Sequence, residues 1–482
     1  MGHPGALWML SMTEFWERFA FYGIRWALVL YIVDRFHGGA ASGQAGATLV
    51  FGSYIALVFA ASLIGGVVAD KIVGYQHAIV IGAAFMASGL FMLAYPHPTM
   101  FKLGLATVIV GNGLFKPNIS TMVGKLYCPS DIRRDAGFTI FYMGINAGAF
   151  VAPILTQFLA QKIFGTAAAP AYRSVFAAAG CGMLVSLAWF LAGRGMLAGV
   201  GAAPPGPRAL ARPLATGAGA AALVPLVFVL LAAGARNLQV VLTVLFAALA
   251  AALLVEGARA GKVARDKVLA MLTIFAFNIV FWMFFDQAGS SFTFLADKIV
   301  DRQAGRFLIP TAWFQAINGI AVIALAPPVA FAWVWLARRR AEPTVARKFA
   351  LGLLANGAAF GLLALTLTHL VDGGGKIPAW TLCAVYAVQS LGELCLSPIG
   401  LSMVTRLAPP RLAGLGMGGW FLSTGIGANL SGIFASHVSG ARGIAVDAAL
   451  RAYSLGSAAL LGAALAMLLL APKIQKWMHG IR

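Results

Sequence analysis

Two glutamates and an arginine stand in the stretch EFWERFAFYG, from Glu14 to Gly23, inside the first long apolar segment of the chain, and Arg25 follows close behind. Lys116 sits in GNGLFKPNIS (Gly111 to Ser120), Asp286 in FWMFFDQAGSS (Phe281 to Ser291) and Glu393 in GELCLSPIGLS (Gly392 to Ser402), each within another apolar run. A charge at the centre of a membrane helix costs roughly 2.5–3.5 kcal/mol on insertion scales, so seven unpaired ones would cost on the order of 20 kcal/mol. Glu14, Glu17, Arg18, Arg25, Lys116, Asp286 and Glu393 must therefore meet one another, or water, in a polar interior. The chemistry open to such a set is reversible ion pairing, proton binding and the holding of a charged guest.

At about 100° per residue, Glu14, Glu17, Arg18, Phe21 and Arg25 fall on one helical face, as the wall of a cavity requires. An ion-pair ladder that only joins helices is the other reading; seven such residues on four segments favour the cavity. Pro117 removes a backbone donor next to Lys116, and Gly111 and Gly113 let a neighbouring helix come close. Trp282, Asp286 and Ser290 recur at four-residue steps, which predicts an aromatic wall, a carboxylate and a hydroxyl on one face. Glu393 lies one turn from Ser397, with Pro398 interrupting the helix, and Trp420, Ser423 and Asn429 stand among close glycines. The histidines fall near segment ends or in loops, which leaves proton work to carboxylates. No paired metal-binding histidines, phosphate-binding glycine loop or nucleophile elbow occurs, so neither an enzyme nor a metal or cofactor site is expected.

The elements that must position these groups are membrane helices. Of 482 residues, 60% are hydrophobic and 10% charged, with mean hydropathy +0.86, against about 25% charged in soluble domains. Continuous rather than alternating apolar runs predict helices, not a barrel. Fourteen segments can be drawn, at 10–33, 46–69, 76–95, 101–123, 136–160, 172–193, 214–233, 238–256, 268–295, 309–336, 348–370, 378–404, 412–438 and 451–471. Alternate loops carry about twice as many Lys and Arg as the others, which predicts both termini on the cytoplasmic side. The net charge of +20 therefore reads as topology rather than nucleic-acid binding. The four cysteines are scattered, without paired spacing, and no cleavable signal peptide is expected.

Segments seven and eight are dominated by Ala, Leu and Val, with Pro225 and Thr243 as interruptions, and offer no group for chemistry. Setting them aside leaves six segments on each side, the arithmetic of two six-helix halves packed around a central cavity. The expected division is an N-terminal six-helix bundle (1–200), a two-helix insertion with linkers (201–263) and a C-terminal six-helix bundle (264–482). The Pro/Gly-rich stretch from Val200 to Pro213 marks the first boundary.

Over nearly the whole chain these motifs resemble the proton-dependent oligopeptide transporters of the major facilitator superfamily. EFWERFAFYG resembles the family's opening pattern of Glu-x-x-Glu-Arg-Phe followed by Tyr and Gly. GGVVADKIVGYQHAIVIGAAFMASG (Gly65 to Gly89) and FTIFYMGINAGAF (Phe138 to Phe150) resemble its two signatures, and GLFKPNIS, FWMFFDQ and GELCLSPIGLS match further family stretches. The two additional spans look like those of bacterial members. The resemblance implies an all-α polytopic protein of fourteen transmembrane helices in a bacterial inner membrane, working as a monomer without a cofactor. It implies a proton-coupled symporter importing di- and tripeptides by alternating access. Arg25 and Lys116 would face the peptide carboxylate with Tyr22 and Asn146 nearby, Glu393 the amine with Asn318 and Trp420 nearby, and Trp282 would line a side-chain pocket. Glu14, Glu17 and Asp286 would carry protons, with Arg18 tuning the glutamates. Arg25 with Asp286, and Lys116 with Glu393, would form gating pairs.

Three departures from the family pattern, at five positions, stand out. Phe21 and Phe59 stand where tyrosine is usual, removing two hydroxyls. Asp286 replaces a glutamate, and Gln76 and His77 replace basic residues near Asp70. A relative carrying nitrate or another small anion is the alternative. It would use Arg25 and Lys116 but be repelled by Glu393. A drug-exporting antiporter has no need of paired cationic anchors. Loops this short leave a sensor no domain for relaying a signal.

Overall fold

All fourteen apolar segments are helical in the computed structural model, which describes residues 2–128, 131, 133–203, 211–408 and 413–480, the side chains at 135, 398, 401, 405 and 413 excepted. Positions 204–210 of the Pro/Gly-rich stretch and the Pro398 side chain thus lie outside the described residues. In chain order the helices are α1 (Gly5–Tyr31), α2 (Gly43–Val68), α3 (Tyr75–Leu93), α4 (Pro98–Lys125), α5 (Arg134–Phe158), α6 (Tyr172–Gly193), α7 (Ala211–Ala232) and α8 (Ala235–Arg259). They continue with α9 (Lys262–Phe285), α10 (Ser291–Lys298), α11 (Trp313–Arg338), α12 (Val345–His369), α13 (Ala379–Leu394), α14 (Ser397–Leu407), α15 (Ala413–Ser439) and α16 (Val446–Trp477). The ninth and twelfth segments each contain two helices because the backbone breaks inside them. The only strands among the described residues are two-residue pairings, such as Val300–Asp301 beside Ile377–Pro378.

Eleven helices among the described residues are long and apolar enough to cross a membrane. α1 falls short because every 18-residue window in it holds at least three of Glu14, Glu17, Arg18 and Arg25. α13 is too short alone, and glycines and polar residues dilute α15.

The chain divides into two compact units, one of Met1–Gly38 with Leu57–Gly234 and the other of Gly39–Ala56 with Ala235–Arg482. The insertion is shared between them, α7 belonging to the first and α8 to the second. In the first unit α1 packs on α5 and α6, α3 on α4 and α6, and α4 on α7. Lipid gives helices no hydrophobic reason to associate, so close backbone approach through small residues does this work. A Cβ on Gly82 would lie 2.6 Å from the Gly111 carbonyl oxygen and one on Gly111 2.6 Å from that of Gly82; Gly89 and Gly104 repeat the arrangement at 2.7 and 2.8 Å. Two such pairs, seven residues apart on each helix, zip α3 to α4.

In the second unit α12 packs on α13 and α16, α11 on α13, and α9 and α8 on α15. Its core is aromatic, with Phe275, Phe281, Phe292, Phe360 and Tyr453 all fully buried. α8 is less inert than its letters suggest: the Asn429 amide of α15 donates to the Ala235 carbonyl (2.8 Å) and to Gln239 Oε1 (3.0 Å). Gln239 therefore anchors a span whose sequence, dominated by Ala, Leu and Val, offers no group for chemistry.

Candidate functional site: two sets of buried polar groups

In the first unit the expected stripe on α1 is present. Glu14, Glu17 and Arg18 are at most 3% exposed, so their charges have to be met internally. Arg18 Nη2 donates to Glu17 Oε1 (2.7 Å), and its Nε to Glu17 Oε2. Asn112 Nδ2 adds a bond to Glu17 Oε1 at 2.9 Å, so both Glu17 oxygens are engaged. Glu14 Oε1 lies 3.1 Å from Arg18 Nε, while its Oε2 has no hydrogen-bond partner among the described residues. One guanidinium thus serves two carboxylates, of which one is clamped and the other keeps an open oxygen.

Further along the same unit, Tyr22, Arg25 and Lys116 are half-buried. The Arg25 guanidinium stands 5.9 Å from the Tyr22 ring centre, and Lys116 Nζ 4.6 Å from that of Phe59. Arg18 lies 5.0 Å from the Phe21 ring. Both phenylalanines that replace family tyrosines therefore offer a π-face to a cation, a contact worth about 0.5–2 kcal/mol. Asn146, 6% exposed, donates its amide to the Tyr142 carbonyl at 2.9 Å. α4 runs unbroken through Pro117, and Asn118 beside it donates to the Leu114 carbonyl (2.6 Å) and across to that of Gly65 on α2 (3.2 Å).

Gln76 and His77 form a different contact in place of a basic relay. Arg194 donates to Gln76 Oε1 (2.8 Å) and approaches His77 Nε2 (3.3 Å), while Gln76 Nε2 donates to the Val200 carbonyl (2.8 Å). Asp70 accepts from the Tyr75 hydroxyl. The positive charge missing from the start of α3 is supplied by Arg194, just after α6.

In the second unit Asn318 Nδ2 donates to Glu393 Oε2 (3.1 Å) and to Ser390 Oγ (2.9 Å), bringing together the two residues expected to be neighbours. Glu393 is half-buried near the end of α13. The helix stops at Leu394 and restarts at Ser397 with proline in its first turn, so the one-turn face from Glu393 to Ser397 is broken. Trp420 is 4% exposed and packs against Gly400, Phe275 and Phe349.

The four-residue face of Trp282, Asp286 and Ser290 also needs correction. α9 ends at Phe285 and Asp286–Gly289 form a tighter 3-10 turn, so the 3.6-residue period does not carry through. Gln287 explains the break: its amide donates to the Ser431 carbonyl (3.0 Å) and accepts from Ser291 Oγ (2.6 Å). Ser290 Oγ turns back to the Asp286 carbonyl at 3.4 Å. Asp286 itself is 5% exposed.

Several polar residues escape the sequence reading. Asn112, flanked by Gly111 and Gly113, was legible as an amide within a packing motif. Asn278, one turn before Trp282, offered the same kind of signal. Ser390, one turn before Glu393 with respect to the helix face, required knowledge of where Asn318 lies.

The POT family matches residues 76–446 of this chain. The chain is 34% identical over 462 residues to the peptide transporter YePEPT of Yersinia enterocolitica subsp. palearctica serotype O:3, covering 91% of this chain and 88% of that protein. It is 32% identical to a dipeptide and tripeptide permease B of Edwardsiella piscicida, over 92% and 88% of the two chains. Among solved structures, peptide transporter POT in complex with sulfate superposes with a TM-score of 0.84 at 31% identity, covering 100% of this chain and 97% of the other. A variant of that transporter in complex with alafosfalin gives a TM-score of 0.83 at 33% identity, with the same coverage.

Proposed function

The chain belongs to the POT family, and from that premise we propose that it is a proton-coupled symporter importing di- and tripeptides by alternating access. A short peptide is a zwitterion with fixed ends and variable side chains. Opposite charges can orient the ends while leaving the middle permissive. The observation that carries this reading is the retention of both signs: half-buried Arg25 and Lys116 in one unit, and Glu393 steered by Asn318 in the other. Arg25 and Lys116, with Tyr22 and Asn146, take the peptide carboxylate. Glu393, with Asn318 and Trp420, takes the amine, and Trp282 lines the side-chain pocket. Glu393 opposes a nitrate-like substrate.

Protons enter through Glu14, Glu17 and Asp286, with Arg18 as the shared counter-charge. Within the α1 cluster the open oxygen belongs to Glu14, which makes it the seat for an arriving proton. Protonating a carboxylate weakens its pairing with a cation and so biases a two-state equilibrium. Arg25 with Asp286, and Lys116 with Glu393, are proposed as pairs made and broken during the cycle. The proton gradient alone supplies the energy, and a monomer in a bacterial inner membrane, both termini cytoplasmic, suffices.

The test uses proteoliposomes. Glu393→Gln is expected to lose binding of dipeptides with a free amine while binding of N-acetylated ones falls much less; equal losses would remove Glu393 from amine recognition. Glu14→Gln and Glu17→Gln are expected to lose gradient-driven uptake yet retain peptide exchange. Normal driven uptake in either variant removes that residue from coupling.

A further inference from the structure

Asn278 on α9 is fully buried, and its amide connects three side chains. Ser423 Oγ and Thr424 Oγ1 donate to the Trp420 carbonyl at 2.7 and 3.1 Å, so towards Asn278 their oxygens act as acceptors. Asn278 Nδ2 supplies both, at 2.9 and 3.1 Å. That fixes which way the amide points: Oδ1 faces the other way and accepts from Trp282 Nε1 at 3.0 Å. The result is a directional chain from the Trp282 indole through Asn278 to the backbone of α15, with each donor matched to an acceptor.

The two helices also pack closely beside this chain of bonds. A Cβ on Gly427 of α15 would lie 2.8 Å from the Trp282 Cβ, so α9 and α15 touch at this level. Phe281 and Phe285 meet the indole edge-on at centroid distances of 5.6 and 5.2 Å. Trp282 nevertheless stays half-buried. Its one polar atom is committed to Asn278, so any further contact of the indole is through its π-system and hydrocarbon edge.

We infer that Asn278 is a specificity-determining positioning residue, which turns the Trp282 N–H away from the peptide and leaves an indole surface that selects side chains by apolar and aromatic contact rather than by hydrogen bonding. The inference rests on the proposed peptide transport and deepens it: the favoured substrates are dipeptides with apolar or aromatic side chains. An exposed indole N–H would instead reward side chains carrying a hydrogen-bond acceptor. With Asn278 replaced by leucine, the donor loses its partner and the ring its orientation. Asn278→Asp keeps an oxygen facing the indole and serves as the conservative comparison.

The test measures KM in proteoliposomes for dialanine, Ala-Phe and Ala-Gln, together with 19F spectra of protein labelled with 5-fluorotryptophan, the Trp282 resonance being assigned by its loss in Trp282→Phe. Asn278→Leu is expected to move that resonance and raise the KM for Ala-Phe about two- to tenfold, the range set by one lost hydrogen bond. The KM for dialanine should change less than twofold, with maximal driven uptake unaltered. Asn278→Asp is expected to restore the Ala-Phe preference and the resonance, and in the Trp282→Phe background Asn278→Leu should add nothing. An unmoved resonance, or equal losses for all three peptides, overturns the positioning role. A parent protein that carries none of the three overturns the transport reading instead, and the 19F arm still reports whether Asn278 holds the ring.

Discussion

A Cβ on Gly65 of α2 would lie 1.8 Å from the Gly113 carbonyl oxygen and 2.4 Å from its carbon, whereas one on Gly66, the next residue, meets nothing within 4 Å. Gly65→Ala must therefore push α2 and α4 apart, since the obstacle is backbone that no rotamer can relieve. Overpacking of this kind costs about 1–3 kcal/mol, and the Asn118 bond to the Gly65 carbonyl at 3.2 Å is strained with it, worth about another 1 kcal/mol. Gly66→Ala has room for its methyl and should gain about 0.5–1 kcal/mol from the stiffer helix. The two variants should differ by about 2.5–5 kcal/mol in reversible unfolding from mixed micelles, with Gly65→Ala the weaker. Lys116 follows Gly113 by three residues, so displacement of α4 also moves the ammonium, and a misplacement near 1 Å can cost about 10²-fold in rate. Dialanine uptake by Gly65→Ala should drop accordingly while Gly66→Ala stays near the parent value. Equal stability and equal uptake in the two variants would refute the α2–α4 contact and the positioning of Lys116 that depends on it.

Phe59→Tyr restores a hydroxyl beside Lys116, and one added hydrogen bond of about 0.5–1.5 kcal/mol predicts roughly two- to tenfold tighter dipeptide binding by calorimetry. No change in affinity would mean that the Phe59 ring edge does not reach the peptide. Outside the membrane helices, hydrogen bonds from the Arg133 side chain and backbone hold the Asp131 carboxyl down to about 2. Because the folded value is depressed, the contact is fully present above the ordinary carboxylate range and is lost only as pH falls towards 2. In 13C spectra of labelled aspartate, Asp131 should stay ionised from pH 8 to 5, and Arg133→Ala should return its midpoint towards about 3.9. A midpoint already near that value in the parent protein would contradict the contact.

What the letters disclose and conceal follows from how local each cause is. The stripe on α1 is readable because Glu14, Glu17 and Arg18 share a face through helical geometry alone, and burial then forces them together. Lys116 among glycines is readable for a similar reason, since Gly111 and Gly113 announce a close neighbour before the neighbour is known. The break after Phe285 is not readable: it depends on Gln287 reaching Ser431 on α15, 144 residues away. Gln239 is equally unreadable as an anchor in an Ala/Leu-rich span because its partner, Asn429, lies 190 residues on. Asn112 and Asn278 show the intermediate case, where the letters display an amide beside a candidate site residue but tertiary hydrogen bonds set its direction.

The central claim is that an inward proton gradient drives a doubly charged peptide through this chain. Accumulation of labelled dialanine in proteoliposomes, with the pH gradient imposed and then collapsed by an ionophore, tests it most directly. Uptake is expected to rise above the outside concentration only while the gradient lasts, with excess nitrate leaving it unaffected. Accumulation indifferent to the gradient, or driven uptake of nitrate without dialanine, would contradict it.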